Sequence, residues 1–163
     1  MSSVIWITGI SGAGKTTLAN AVAQYFLKNN KKILRLDGDQ LRAILGAEEK
    51  TEKNFSREAR LKIALRYSAL CKLCVDQNIT TIISTISMFR EVHSWNRKNL
   101  KNYLEVFLKI PIEEAKKRDS KNLYKKYKNE ELSNIAGLDL KVDEPENPDL
   151  ILEFYKETSL DKC

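Results

Sequence analysis

Apolar and polar positions in this chain follow two alternating rhythms. Short apolar, β-branched runs at residues 4–8, 32–36, 79–86, 103–110 and 150–154 read as buried strands. Between them, apolar residues recur at helical spacing. Leu18, Ala19, Val22, Ala23, Phe26 and Leu27 form one stripe over residues 17–30. Ala59, Ile63, Leu70, Cys74 and Val75 form another, opened by Ser56 as N-cap and ended by Asn78. A short helix follows Asp37-Gly38-Asp39 as far as Leu45, with Asp39 as its expected cap. Val92, Trp95 and Leu100 face inward from a helix within 87–102, and Pro111 opens another over 112–119. Residues 46–54 and 143–148 read as loops, and 120–137 is the least regular stretch, with a turn at Gly137. The tail to Cys163 is too short to assign.

Strands alternating with helices predict an α/β fold, a parallel five-stranded sheet flanked by helices on both faces, with right-handed crossovers. The length of 163 residues suits one domain over 1–163. Ligands of such sheets bind at the carboxyl ends of the strands. Gly9, Asp37 and Ser87 each follow a predicted strand, so they should converge on one crevice.

The first of these positions carries the chemistry. Residues 9–17 read GISGAGKTT and fit the Walker A pattern G-x-x-x-x-G-K-[ST], between a predicted strand and a predicted helix. Glycines let successive backbone N–H groups of Gly9, Ser11, Gly12, Ala13 and Gly14 curl toward one anion. The helix N-terminus at Thr17 adds its positive end. Lys15 supplies a point charge for the β- and γ-phosphates, and the Thr16 hydroxyl a ligand for Mg²⁺. A chance match arises in roughly one chain in a hundred of this length, and the correct flanks make chance rarer still.

Composition changes this picture little. Of the residues 42% are hydrophobic and 31% charged, as in a soluble globular protein. No apolar run reaches membrane-spanning length and no signal-peptide pattern precedes the first strand, so a cytoplasmic protein with no membrane partner is expected. The net charge of +6 comes from lysines scattered end to end, without interleaved aromatics. That favours a solvated surface that steers anions over nucleic-acid binding. Cys71 and Cys74 share a helical face as small buried hydrophobes rather than a metal or redox pair. His93, the single histidine, reads as a surface or capping residue.

Several segments together resemble the adenylylsulfate (APS) kinase family. They are residues 9–17, Leu36-Asp37-Gly38-Asp39-Gln40-Leu41-Arg42, Phe55-Ser56 with Arg60 and Arg66, and Ile86-Ser87-Met88-Phe89-Arg90. Arg118-Asp119-Ser120-Lys121-Asn122-Leu123-Tyr124, Ala136-Gly137-Leu138-Asp139 and Pro145-Glu146-Asn147-Pro148 complete the set, in the family's order. The resemblance implies a P-loop kinase fold, ATP and Mg²⁺ as cofactors, phosphoryl transfer to a nucleotide ribose 3′-hydroxyl, and a possible homodimer. It makes Asp37 the catalytic carboxylate, which also helps to place Mg²⁺. Residues 82–86 offer no acid for that role. Asp39, Arg42, Arg60, Arg66, Ser87 and Arg90 would face the acceptor, and Arg118 the adenine of ATP. Lys121 and Leu123 would belong to a lid at about 120–145.

The chain departs from the family's usual residues on the acceptor side. Ile63 stands for Asn, Leu65 for Arg, Met88 for Pro and Ile135 for a base-stacking aromatic; Leu140-Lys141-Val142-Asp143 replaces Asp-Pro-Tyr-Glu. The pattern looks like the divergent branch that includes cytidine diphosphoramidate kinase of capsule biosynthesis, so that compound is the favoured acceptor. Adenylylsulfate is the alternative, followed by another P-loop nucleotide or sugar kinase.

Overall fold

The computed structural model describes residues 2–45, 56–119 and 121–153. The expected loop at 46–54, Phe55, Ser120, the end of the last strand at 154 and the tail to Cys163 lie outside the described residues. Five strands form one sheet: β1 (Val4–Thr8), β2 (Ile33–Asp37), β3 (Thr80–Ser84), β4 (Tyr103–Leu108) and β5 (Leu150–Leu152). Their order is β2-β3-β1-β4-β5 and every pairing is parallel.

The strands are apolar on both faces because both faces are covered. Val4, Trp6 and Ile83 point to one side, where they pack with Ala64, Tyr67, Cys71, Val92 and Leu100. Those partners come from α3 (Arg57–Asp76), α4 (Arg90–Asn99) and the residue after it. Ile7, Ile82 and Val106 point to the other side, against Leu18, Ala19 and Ala23 of α1 (Lys15–Lys28). Among the described residues no helix is long and apolar enough to cross a membrane.

The expected elements are present with shifted ends. The helix after the glycine loop begins at Lys15 rather than Thr17, since Gly14 in the left-handed region (φ 95°) ends the loop there. The short helix α2 (Gly38–Ile44) is capped by Asp37, whose side chain accepts from the Asp39 N–H. Asp39 therefore lies inside the first turn and is not the cap. Ser56 caps α3 as expected, accepting from the Ala59 N–H. Helix α5 (Ile112–Arg118) follows Pro111, and an unexpected α6 (Leu123–Lys128) sits in the Lys/Tyr-rich stretch. The Asp119 carboxylate receives the N–H groups of Tyr124 and Lys125, which supplies the N-terminal bonds of α6.

One further reading changes. His93 is buried, not at the surface: its Nδ1 lies 2.6 Å from Glu105 Oε1 and its Nε2 3.3 Å from the Asp143 carbonyl. Glu105 is buried in the middle of β4 and also accepts from the Tyr103 hydroxyl and from Arg97. Burial pushes the Glu105 carboxyl up, but His93, Tyr103 and Arg97 together bring it below its ordinary value. Cys71 and Cys74 are buried free thiols, as their spacing implies, and burial pushes Cys71 far above the usual thiol range.

Candidate active site

The loop from Gly9 to Gly14 links β1 to α1 at the carboxyl edge of the sheet. Its close fit requires glycine at the first position. A Cβ on Gly9, at φ +149°, would lie 2.6 Å from the Leu108 carbonyl oxygen. Gly9 and Ala13 back the loop, while Ser11, Gly12, Gly14, Lys15, Thr16 and Thr17 line a cavity of about 750 Å³. The Lys15 ammonium donates to the Ile10 carbonyl at 2.7 Å. Burial lowers its pKa to about 8, the Lys121 charge adds to the shift, and Asp39 and Asp37 oppose it.

The register of β2 against β3 places Asp37 beside Ser84. The Ser84 and Thr16 hydroxyls donate to Asp37 Oδ2 at 2.9 and 3.0 Å, and the Asp39 N–H donates to Oδ1 at 3.0 Å. Burial pushes the carboxyl up, yet these donors and the Gln40 N–H hold it below the ordinary aspartate value. Asp37 is thus a fixed carboxylate at neutral pH. Thr16 and Asp37 present a hydroxyl and a carboxylate side by side. Among the described residues no three His, Cys, Asp or Glu stand together as a metal cage. Hard oxygen donors with room for water and phosphate oxygens fit Mg²⁺.

Residues from α5 to α6 border this floor on another side. The Tyr124 hydroxyl on α6 donates to the Ser11 carbonyl at 2.9 Å, and Arg118 Nη1 to the Gly12 carbonyl at 3.4 Å. Lys121 forms an ion pair with Asp39 across the cavity, and Leu123 also lines it. On the opposite wall are Arg42 and Arg60. Arg60 donates to the Asn134 carbonyl at 2.8 Å, and burial, with Arg42 close by, lowers its pKa to about 10.

A smaller recess of about 40 Å³ opens beyond these two arginines. Ser87 lines it, with its hydroxyl 2.8 Å from that of Thr85. So do Ile63, Met88, Leu140 and Val142, four of the positions where the chain departs from the family's usual residues. Ile135 lines the main cavity. Leu65, on α3, packs against the core instead.

Two expected acceptor-side cations are not brought to these cavities. Arg66 is exposed and lines neither, because six residues beyond Arg60 is about 240° around the helix. Arg90 is exposed too, and its side chain pairs with Glu146 at 3.0 Å. Sequence reasoning passed over Ser84, Lys126 and Asn134. Ser84 was detectable as the strand-end hydroxyl in register with Asp37. Lys126 lines the main cavity only because α6 turns it inward.

Known proteins share this sequence pattern and fold. A family model described as Adenylylsulphate kinase matches residues 1–153. The chain is 40% identical over 149 residues to a cytidine diphosphoramidate kinase of Campylobacter jejuni subsp. jejuni serotype O:2, covering 91% of this chain and 84% of that protein. It is 39% identical over 162 residues to an adenylyl-sulfate kinase of Clostridium acetobutylicum, covering 99% and 78%. Among solved structures, the Mycobacterium tuberculosis APS kinase in complex with AMPPNP and APS superposes with a TM-score of 0.87 at 31% identity, covering 99% of this chain and 92% of that one.

Proposed function

Because the chain belongs to the adenylylsulphate kinase family, we propose that this ATP-dependent phosphotransferase acts on the ribose 3′-hydroxyl of a nucleotide, with cytidine diphosphoramidate as the favoured acceptor. One observation carries the choice of acceptor. The phosphate loop keeps every residue its pattern requires, while Ile63, Met88, Leu140 and Val142 converge on one recess at the acceptor side. With Ile135 in the main cavity, an adenine would lack an aromatic platform there. Such stacking is worth about 1–3 kcal/mol per base.

The roles follow from position and charge. Loop N–H groups and Lys15 hold the transferring phosphates. Lys15 exchanges its Ile10 carbonyl for phosphate oxygens when ATP enters. Thr16 and Asp37 would hold Mg²⁺, which would offset the negative charge of the phosphates. Asp37, with its basicity reduced by four donors, orients the acceptor hydroxyl and takes its proton late, as a loose transition state allows. Arg42 and Arg60 hold the acceptor's 5′ oxyanions. Lys121 and Leu123 close the lid and exclude water.

Adenylylsulfate is the second reading, favoured by the 39% identity to the Clostridium acetobutylicum enzyme. ATP consumption with Mg²⁺ and equal concentrations of the two acceptors separates them. Preference for the cytidine compound is expected; preference for adenylylsulfate makes the second reading correct.

A further inference from the structure

Three spaces stand in a row at the carboxyl edge of the sheet. The main cavity opens past Arg42 and Arg60 into the recess of about 40 Å³. Beyond the recess is another space, of about 380 Å³, lined by apolar residues such as Ile10, Phe107 and Ile110, and by an ion pair of Lys109 with Glu144. The recess and this outer space have two lining residues in common, Met88 and Val142. These two side chains form the wall between them.

The wall is held in place. Met88 is 1% exposed. Its carbonyl accepts the Asp143 N–H at 2.9 Å, which ties the segment carrying Val142 to the segment carrying Met88. Ser87, just before Met88, sits at φ 32°, a conformation non-glycine residues seldom adopt. The wall consists of side chains, so substitution can remove it without breaking a backbone bond.

The recess is too small for a base. A water-sized position takes about 10–15 Å³ on this measure, so the recess admits a few such positions, enough for one tetrahedral group. Arg42 and Arg60 line both the main cavity and this recess, so an oxyanion held between them would border the recess. Resting on the acceptor reading above, we infer that Met88 and Val142 are specificity-determining residues that limit the acceptor's terminal 5′ group to an unsubstituted tetrahedron. A terminal phosphoramidate bearing an alkyl chain on nitrogen would meet the wall. Without the wall, the chain would run into the apolar outer space.

The test compares wild type with Met88→Ala, Val142→Ala and the near-isosteric Met88→Leu. Each is assayed for ATP consumption with cytidine diphosphoramidate and with its N-butyl derivative, and the ratio of kcat/KM values is read. Wild type and Met88→Leu should favour the parent compound strongly. Either alanine variant should lower that preference by tenfold or more, chiefly through KM for the butyl compound. Two alanine variants guard against one failing to fold. Normal turnover of the parent with an unchanged ratio in the folded alanine variants overturns the wall alone. No turnover of the parent by wild type overturns the acceptor reading and the wall with it.

Discussion

Lys15 should give the kinase a one-sided pH dependence on ATP. Its ammonium is half-buried beside Lys121, and burial brings its pKa to about 8 in the free enzyme. From that value, about nine-tenths of the molecules carry the charge at pH 7 and about one-tenth at pH 9. ATP needs the charged form. The kcat/KM for ATP should therefore be flat below pH 7.5 and fall about tenfold per unit above pH 8.5, since that ratio reports the free enzyme. In the complex, phosphate oxygens surround the ammonium and hold its proton. Accordingly kcat at saturating ATP should stay level through pH 9. The sign for stability runs the other way. The pKa is lower folded than unfolded, so the charge opposes folding below about pH 8, and this opposition fades as pH rises toward the unfolded value of 10.5. Lys15→Met should then raise the melting temperature of the ligand-free protein while abolishing the further rise caused by ATP. Steady-state kinetics from pH 6.5 to 9.5 and thermal shift cover both parts. A kcat/KM for ATP that stays constant to pH 9.5 would refute the placement of a desolvated Lys15.

Asp37→Asn should lower kcat on the order of 10²-fold or more while ATP still raises the melting temperature; near-normal turnover would remove Asp37 from the mechanism. Gly9→Ala forces a Cβ against the Leu108 carbonyl at 2.6 Å. It should cost about 1–3 kcal/mol of stability and most nucleotide affinity, read by urea unfolding and ATP titration. His93→Ala leaves the buried Glu105 without its shortest partner. It should cost about 1–3 kcal/mol, as for a lost hydrogen bond to a buried charged group, in the same unfolding assay, and a loss under about 0.5 kcal/mol, as for a surface substitution, would show that Arg97 and Tyr103 suffice.

The strand and helix rhythm predicted the layered sheet because the central strands β1 and β3 are covered on both faces, and continuous apolar runs report that directly. The Gly9–Thr17 loop was legible for a local reason: its chemistry is contained in nine consecutive residues. Asp37 could be placed only by its position after a strand, and its partner Ser84 stayed hidden until strand register set them side by side. Helical phase separates Arg60 from Arg66, and six residues of sequence spacing did not announce which of them reaches the cavity. His93 was misread as a surface group because its partners are 12 and 50 residues away. No composition or periodicity signal marks a polar cluster assembled over such separations.

The two cavities draw largely on different parts of the chain. The phosphate loop and Asp37 come from the first two strand–helix turns. The recess is made by Arg42 of α2, one face of α3, the residues after β3 and the stretch from 136 to 142. None of Ile63, Met88, Leu140 and Val142 lines the cavity beside the phosphate loop. Under the proposed reading, acceptor preference can therefore be altered on this scaffold without touching the phosphate loop. For the same reason, a laboratory library restricted to Ile63, Met88, Leu140 and Val142 is a compact starting point for breeding new acceptor preferences.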